Sequence, residues 1–276
     1  MVQRALLEDM PLAATVRQLS RLARLGMLTP MGEVEALVVN RIMDTEAILR
    51  SRAHPMLFLD ALAVHASGGR GGLSRGGLYS PNQSVIDALA VAFAEAFPNV
   101  VPAGNRNYVA IDVSGSMAGA ACVGSNALRA RDAAGALALI IAQTEPQSFL
   151  GAFQRQMVEL RVTRSTTLNE MLRATSSFPH FGTDCAQPIL HAAAEGIEVD
   201  MFTILTDSET WAGPVHVTEA LRQYRERSGI AARCAVVGMS SNGFSIADPL
   251  DSGMLDVVGM STSTPGIISA FSRGDV

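Results

Sequence analysis

Three stretches of this chain place hard oxygen donors where an apolar run stops. Residues 108–119, YVAIDVSGSMAG, pass from Tyr108–Ile111 straight into Asp112, Ser114 and Ser116. The run FTILT is followed at once by Asp207, Ser208 and Glu209, and the turn HFGTDCAQP offers Thr183 and Asp184 ahead of a helical pattern. Oxygen-only donors suit magnesium, with manganese as the alternative; both favour octahedral geometry and keep some waters. Asp112 and Asp207 together neutralise a divalent ion, whereas Ser114, Ser116 and Thr183 add no charge. An ion held that way stays electrophilic, so its open position takes an external carboxylate or phosphate. Serine and aspartate at such a turn also serve as ordinary helix caps. Asp184 either caps the helix near Cys185 or stands behind the ligands.

The same acidic strand ends would equip a magnesium-dependent phosphoryl-transfer or hydrolytic enzyme, which needs a nucleophile or general base beside the metal. The first loop carries serine where an aspartyl-phosphate enzyme would have a second Asp, and the sequence contains no phosphate-cradling G-x-x-x-x-G-K-S/T run. The expectation is a binding module rather than an enzyme. Arg70 and Arg75 in GGRGGLSRGGL could meet RNA phosphates, or that stretch is a flexible loop between helices. Trp211 either borders the metal mouth as a stacking platform or simply packs. His180 sits near Thr183 without a paired metal spacing, and Cys122 reads as small-residue packing.

The elements that must position these residues change character near residue 104. Before it the apolar spacing is helical: Leu12, Val16, Leu19 and Ala23, with Pro11 before and Gly26 after. Similar stripes run through Val34, Leu37, Val38 and Ile42, through Met56, Leu59 and Ala63, and through Ile86, Leu89, Ala90, Phe93 and Phe97. Four helices in paired arrangement are expected, HEAT-like in spacing. Beyond residue 104, β-branched runs alternate with helices: YVAIDV, then a helix over SNALRARDAAGALALIIAQ, a strand pair SFLGAF and QMVELRV turning near Arg155, and two helices over TLNEMLRAT and CAQPILHAAAEG. DMFTILT, HVTEALRQYRERSG, RCAVVGM, LDVVGM and a last helix near GIISAFSR complete the series. The expected fold is α/β: a doubly wound, mostly parallel sheet over 105–276, preceded by a small all-α segment over 1–104. In such sheets ligands bind beyond the carboxyl ends of the strands, where the strand order reverses.

The 276 residues give ample core for one large or two small domains, and a chain 48% hydrophobic is not a disordered one. A net charge of −5 gives no electrostatic case for a chain-wide nucleic-acid binder, and no DNA partner is expected. All 21 basic residues are arginine. Cys122, Cys185 and Cys234 are odd in number and far apart, as free thiols in a reducing compartment would be. Neither a signal peptide nor a membrane-length apolar run is visible, so a cytoplasmic location and no membrane partner are expected.

DVSGS, with a later Gly-Thr turn and a later strand-end Asp, resembles the von Willebrand factor A domain and its metal-ion-dependent adhesion site. The likeness extends further. GTDCAQPI, TDSETWAGPVHVTEALRQYR and GMSSNGFSIADPLDSGMLDVVG resemble the A domain of the Ro ribonucleoprotein (TROVE) family, and ALLEDMPLAATVRQL and RAHPMLFLDAL resemble the last helices of its preceding ring. The resemblance implies a Rossmann-like A domain whose metal ligands fall on Asp112, Ser114, Ser116, Thr183 and Asp207, and a protein partner engaged through that metal. It also implies small non-coding RNA as a partner: Y RNA on the outside of a HEAT-repeat ring and misfolded RNA ends threaded through it. A full ring needs more helical repeats upstream of Met1, so weak RNA binding by this chain alone is expected.

Overall fold

The computed structural model describes residues 7, 9–70, 77–125, 127–179, 181–207, 213–240 and 245–276. The chain forms two compact units, 1–100 with 125–128, and 101–124 with 129–276.

In the helical unit, α1 (Leu12–Arg24), α2 (Glu33–Ile42), α3 (Thr45–Ser51), α4 (Pro55–Ala66) and α5 (Gln83–Glu95) lead into a 3₁₀ turn, Phe97–Asn99. Each turns its apolar stripe inward: Val16 and Leu19, Val38 and Ile42, Ile48, Phe58, Leu89 and Phe93 are buried together. Among the described residues, α3 is a helix beyond the four that the spacing predicts. α3 is too short to show periodicity, and its start is set by a cap, the Asp44 carboxylate accepting the Ala47 N–H at 2.9 Å. Phe97 belongs to the 3₁₀ turn rather than to α5.

The second unit contains β1 (Arg106–Asp112), α6 (Gly115–Gly119), α7 (Ala130–Thr144), β2 (Gln147–Phe153), β3 (Met157–Glu159), α8 (Leu168–Ser176) and α9 (Gln187–Glu195). It continues through β4 (Met201–Thr206), α10 (Val217–Ser228), β5 (Arg233–Gly238), β6 (Met254–Val258) and α11 (Thr264–Arg273). Six strands form one sheet in the order β3-β2-β1-β4-β5-β6. All neighbours are parallel except the β2–β3 hairpin, which turns at Gln154–Gln156. This is the doubly wound α/β sheet that the alternating pattern predicts. Tyr108, Ala110, Phe202, Ile204, Cys234 and Val236 bury one face against Ile189, Ala192, Leu221 and Tyr224 of α9 and α10. α7 packs against β1 and is rich in alanine, which allows close approach to the sheet.

Two local expectations need correcting. The helix expected from Ser125 begins at Ala130. The Ser125 hydroxyl accepts the N–H groups of Ala127 and Leu128, a local bond that competes with helix, and Arg129 bridges to Ala121 instead. The short α6 directly after Ser114 has too little apolar pattern to be seen in sequence. Cys122, Cys185 and Cys234 are all buried and not disulfide-bonded. Among the described residues, no helix is long and apolar enough to cross a membrane.

Candidate metal centre

The chain runs from β1 outward to β2 on one side, then crosses to β4 on the other, so the strand order reverses between β1 and β4. In open α/β sheets the ligand crevice lies beyond the carboxyl ends of the strands at such a reversal. Asp112 is the last residue of β1 and Asp207 the first after β4. The ladder pairs Ile111 with Leu205, which brings the two acidic ends side by side. Both carboxylates are buried, at 0% and 2% exposure.

Asp112 is the hub. Its Oδ1 accepts the Ser114 N–H at 2.8 Å and its Oδ2 accepts the Thr206 hydroxyl at 2.8 Å. The Thr183 hydroxyl points at the same Oδ1 from 3.5 Å. Burial pushes the Asp112 carboxyl up to about 6, against the hydrogen bonds from Ser114 and Thr206, and the negative charge of Asp207 adds to the rise. The two buried carboxylates thus lie near enough to repel each other.

Ser114 occupies the N-cap position of α6, but its hydroxyl does not cap the helix; it lies 3.1 Å from the Ser116 hydroxyl. Adjacent ligands on an octahedral magnesium ion, each about 2.1 Å from it, are about 3.0 Å apart. The serine hydroxyls are hydrogen-bonded to each other at a distance that two neighbouring ligands would also have. Ser114 and Thr183 are buried while Ser116 is exposed, so the oxygen set opens outward on the Ser116 side. Among the described residues no group of three or more His, Cys, Asp or Glu side chains is placed to hold an ion. The candidate set, two carboxylates and three hydroxyls, has a composition that suits a hard divalent cation better than zinc.

Asp184 has another task. Its Oδ1 accepts the Ala186 N–H at 3.0 Å and its Oδ2 the Gln187 side-chain amide at 2.8 Å, fixing the entry to α9. Gly213, at φ +94°, lies against this carboxylate: a Cβ there would stand 2.3 Å from Oδ2. Cys122 is buried with its thiol 3.6 Å from the Val123 carbonyl, which agrees with a packing role. Arg70 is an exposed residue of the helical unit. Arg75, His180, Ser208, Glu209 and Trp211 lie outside the described residues.

Two contributors escape sequence reasoning. Thr206 reads as one more β-branched strand residue, yet its hydroxyl holds Asp112. Gln154, at the β2–β3 turn, is buried and joins the two loops that carry candidate ligands: its side-chain Nε2 donates to the Val113 carbonyl at 2.9 Å and to the Pro179 carbonyl at 2.6 Å. Its own carbonyl accepts the Asp184 N–H at 2.9 Å. Those partners are 41, 25 and 30 positions away in the chain, which hides the link from any local motif.

Residues 106–272 match the family model described as the Ro60 vWA domain, and residues 2–103 match the TROVE domain. The chain belongs to the Ro60 family. It is 43% identical over its whole length to a Deinococcus radiodurans protein named RNA-binding protein RO60, and covers 52% of that protein. A Caenorhabditis elegans protein of the same name is 38% identical over 97% of the chain, which covers 41% of it. The crystal structure of the D. radiodurans Ro (Rsr) protein superposes with a TM-score of 0.91 at 42% identity, covering all of this chain and 55% of that one. The chain thus spans about half the length of the Ro60 relatives it matches.

Proposed function

We propose that this chain is a metal-dependent binding module of an RNA-associated protein. Asp112, Ser114, Ser116, Thr183 and Asp207 hold magnesium, or manganese, and the open coordination position takes a carboxylate or phosphate from a partner. The observation that carries the reading is the convergence on Asp112: hydroxyls from β4 and from the Thr183 loop reach its carboxylate, beside a serine pair at ligand spacing. When bound, the ion supplies an electrophilic point of attachment. The protein's residues neutralise its charge, fix its position and leave one side open. Two modules, a HEAT-like helical segment over 1–104 and the A domain over 105–276, would serve a small non-coding RNA ribonucleoprotein in the cytoplasm, with Y RNA or misfolded RNA as its cargo. Arg70 and Arg75 are the residues of this chain proposed to meet RNA phosphates. The names of the relatives support the RNA association.

Titration of the protein with manganese, followed by electron paramagnetic resonance and competed with magnesium, tests the site. One ion per chain, lost in Asp112→Ala and in Asp207→Ala while circular dichroism is unchanged, is the expected result. Binding unaffected by either substitution would overturn the reading. Magnesium-dependent turnover of a phosphoester, lost in Asp112→Ala, would replace the binding module with an enzyme.

A further inference from the structure

In the helical unit, α1 buries Leu12, Val16 and Leu19 and leaves Arg17, Arg21 and Arg24 exposed on its opposite side. Spacings of four and three put these arginines in one row, about 10 Å long at about 1.5 Å per residue. α1 contains no acidic residue. Among the described residues, no hydrogen bond or ion pair is made by any of the three. α10 shows the contrasting arrangement: its exposed Arg222 bonds Glu219 and Glu226 of the same helix. Positive charge in the last turn of a helix complements its dipole, which accounts for Arg21 and Arg24 but not for Arg17, further back. A fourth arginine approaches from elsewhere in the same unit. The Tyr79 hydroxyl lies 3.2 Å from the Ser20 hydroxyl of α1, one helical turn from both Arg17 and Arg24. The Tyr79 N–H donates to the Gly68 carbonyl at 3.1 Å, two residues before the exposed Arg70. The chain around Arg70 is thus tied to α1 beside the row.

We propose that this row is a docking surface for the phosphate backbone of an RNA strand, each guanidinium pairing with one phosphate. The inference rests on the RNA association proposed above and extends its phosphate contacts from Arg70 to α1. Unpaired charges of one sign, set along a line with no opposite charge among them, fit a ligand whose charges also repeat along a line. Every nucleotide carries such a charge whatever its base, and the guanidinium fork matches a phosphate with two parallel hydrogen bonds. An acidic protein segment would have to supply its carboxylates at chosen positions.

Fluorescence anisotropy of labelled dodecauridylate with the full chain, between about 50 and 200 mM salt, tests the proposal. Three phosphate contacts with a single strand add about −2 to the slope of log K against log salt, a loss of about 20-fold over that range. In the triple variant Arg17→Gln, Arg21→Gln, Arg24→Gln that part of the salt dependence is expected to vanish, and affinity at the lower salt to fall about tenfold or more. The same three positions changed to lysine keep the charge and should keep the slope, which separates lost contacts from lost folding. Arg161→Gln, Arg164→Gln and Arg173→Gln together, at exposed positions of the A domain, make the same change in net charge and should leave binding as it was. Equal losses in the two glutamine triples, or no loss in the α1 triple, would overturn the row and leave the RNA association standing. No binding of the oligonucleotide by the unaltered chain would overturn the RNA association and the row with it. Polyglutamate bound as tightly as the oligonucleotide, and released by the α1 triple, would assign the row to an acidic protein and overturn the proposal.

Discussion

Replacing Gln154 by leucine keeps the bulk of the side chain and removes the donor that ties the Ser114 loop to the Thr183 loop. The Val113 carbonyl loses a hydrogen bond in a buried place and the Pro179 carbonyl one in a partly buried place. At ~1 kcal/mol for each, the loss is ~2 kcal/mol, a factor of ~30 if it appears wholly as misplacement of the ligands. That falls within the ~10–100-fold range found when groups supporting metal ligands are removed. Isothermal titration with manganese gives the affinity, and urea unfolding of the apo chain gives the stability change separately. The decisive measurement is a double-mutant cycle with Thr183→Ala. If Gln154 acts by placing the Thr183 hydroxyl, leucine at 154 costs manganese affinity in the wild-type background and little in the Thr183→Ala background. Equal losses in both backgrounds would refute the coupling and reduce Gln154 to a structural residue.

Other outcomes follow from single contacts. His54 caps α4 by accepting the Met56 N–H, and burial lowers its pKa to about 4. The unfolded chain takes up that proton near pH 6.5, so its contribution to stability is full above 6.5 and is lost as pH falls towards 4. His54→Asn keeps a cap without a titrating group, and its Tm should depend less on pH than the wild type across that window. Tyr224 donates to the Ile197 carbonyl at 2.8 Å and accepts the Val199 N–H at 2.7 Å, so Tyr224→Phe should cost ~1–3 kcal/mol in urea unfolding. Gly213→Ala should destabilise by ~1 kcal/mol or more through its φ and its clash with Asp184, and by less in an Asp184→Ala background.

The sequence exposes what depends on near neighbours. Val109 and Ile111 alternate with Tyr108 and Ala110, so β1 is visible as a strand, and the change from Ile111 to Asp112 marks its end. α7 is visible from its long apolar stripe, though not its start, because Ser125 binds backbone groups that a helix would have used. Contributions that depend on distant partners are invisible. Thr206 looks like strand filler until β1 lies beside it, and Gln154 looks like a polar turn residue until two carbonyls from elsewhere close on its amide. Asp184 shows the opposite case: adjacent to the candidate ligand Thr183 in sequence, it is drawn into the start of α9.

The register Ile111–Leu205 works as a ruler. The two acids that would balance the ion lie just beyond the last rung of the β1–β4 ladder, so the parallel strands set how near their backbones start. Thr183 comes from a connection with no ladder of its own, held in part by one glutamine. Lengthening or reshaping that connection would leave the electrical balance untouched while changing the mouth that meets a partner. Because that connection also carries Thr183, any affinity for a cation and any preference for a visitor would change together when it is reshaped.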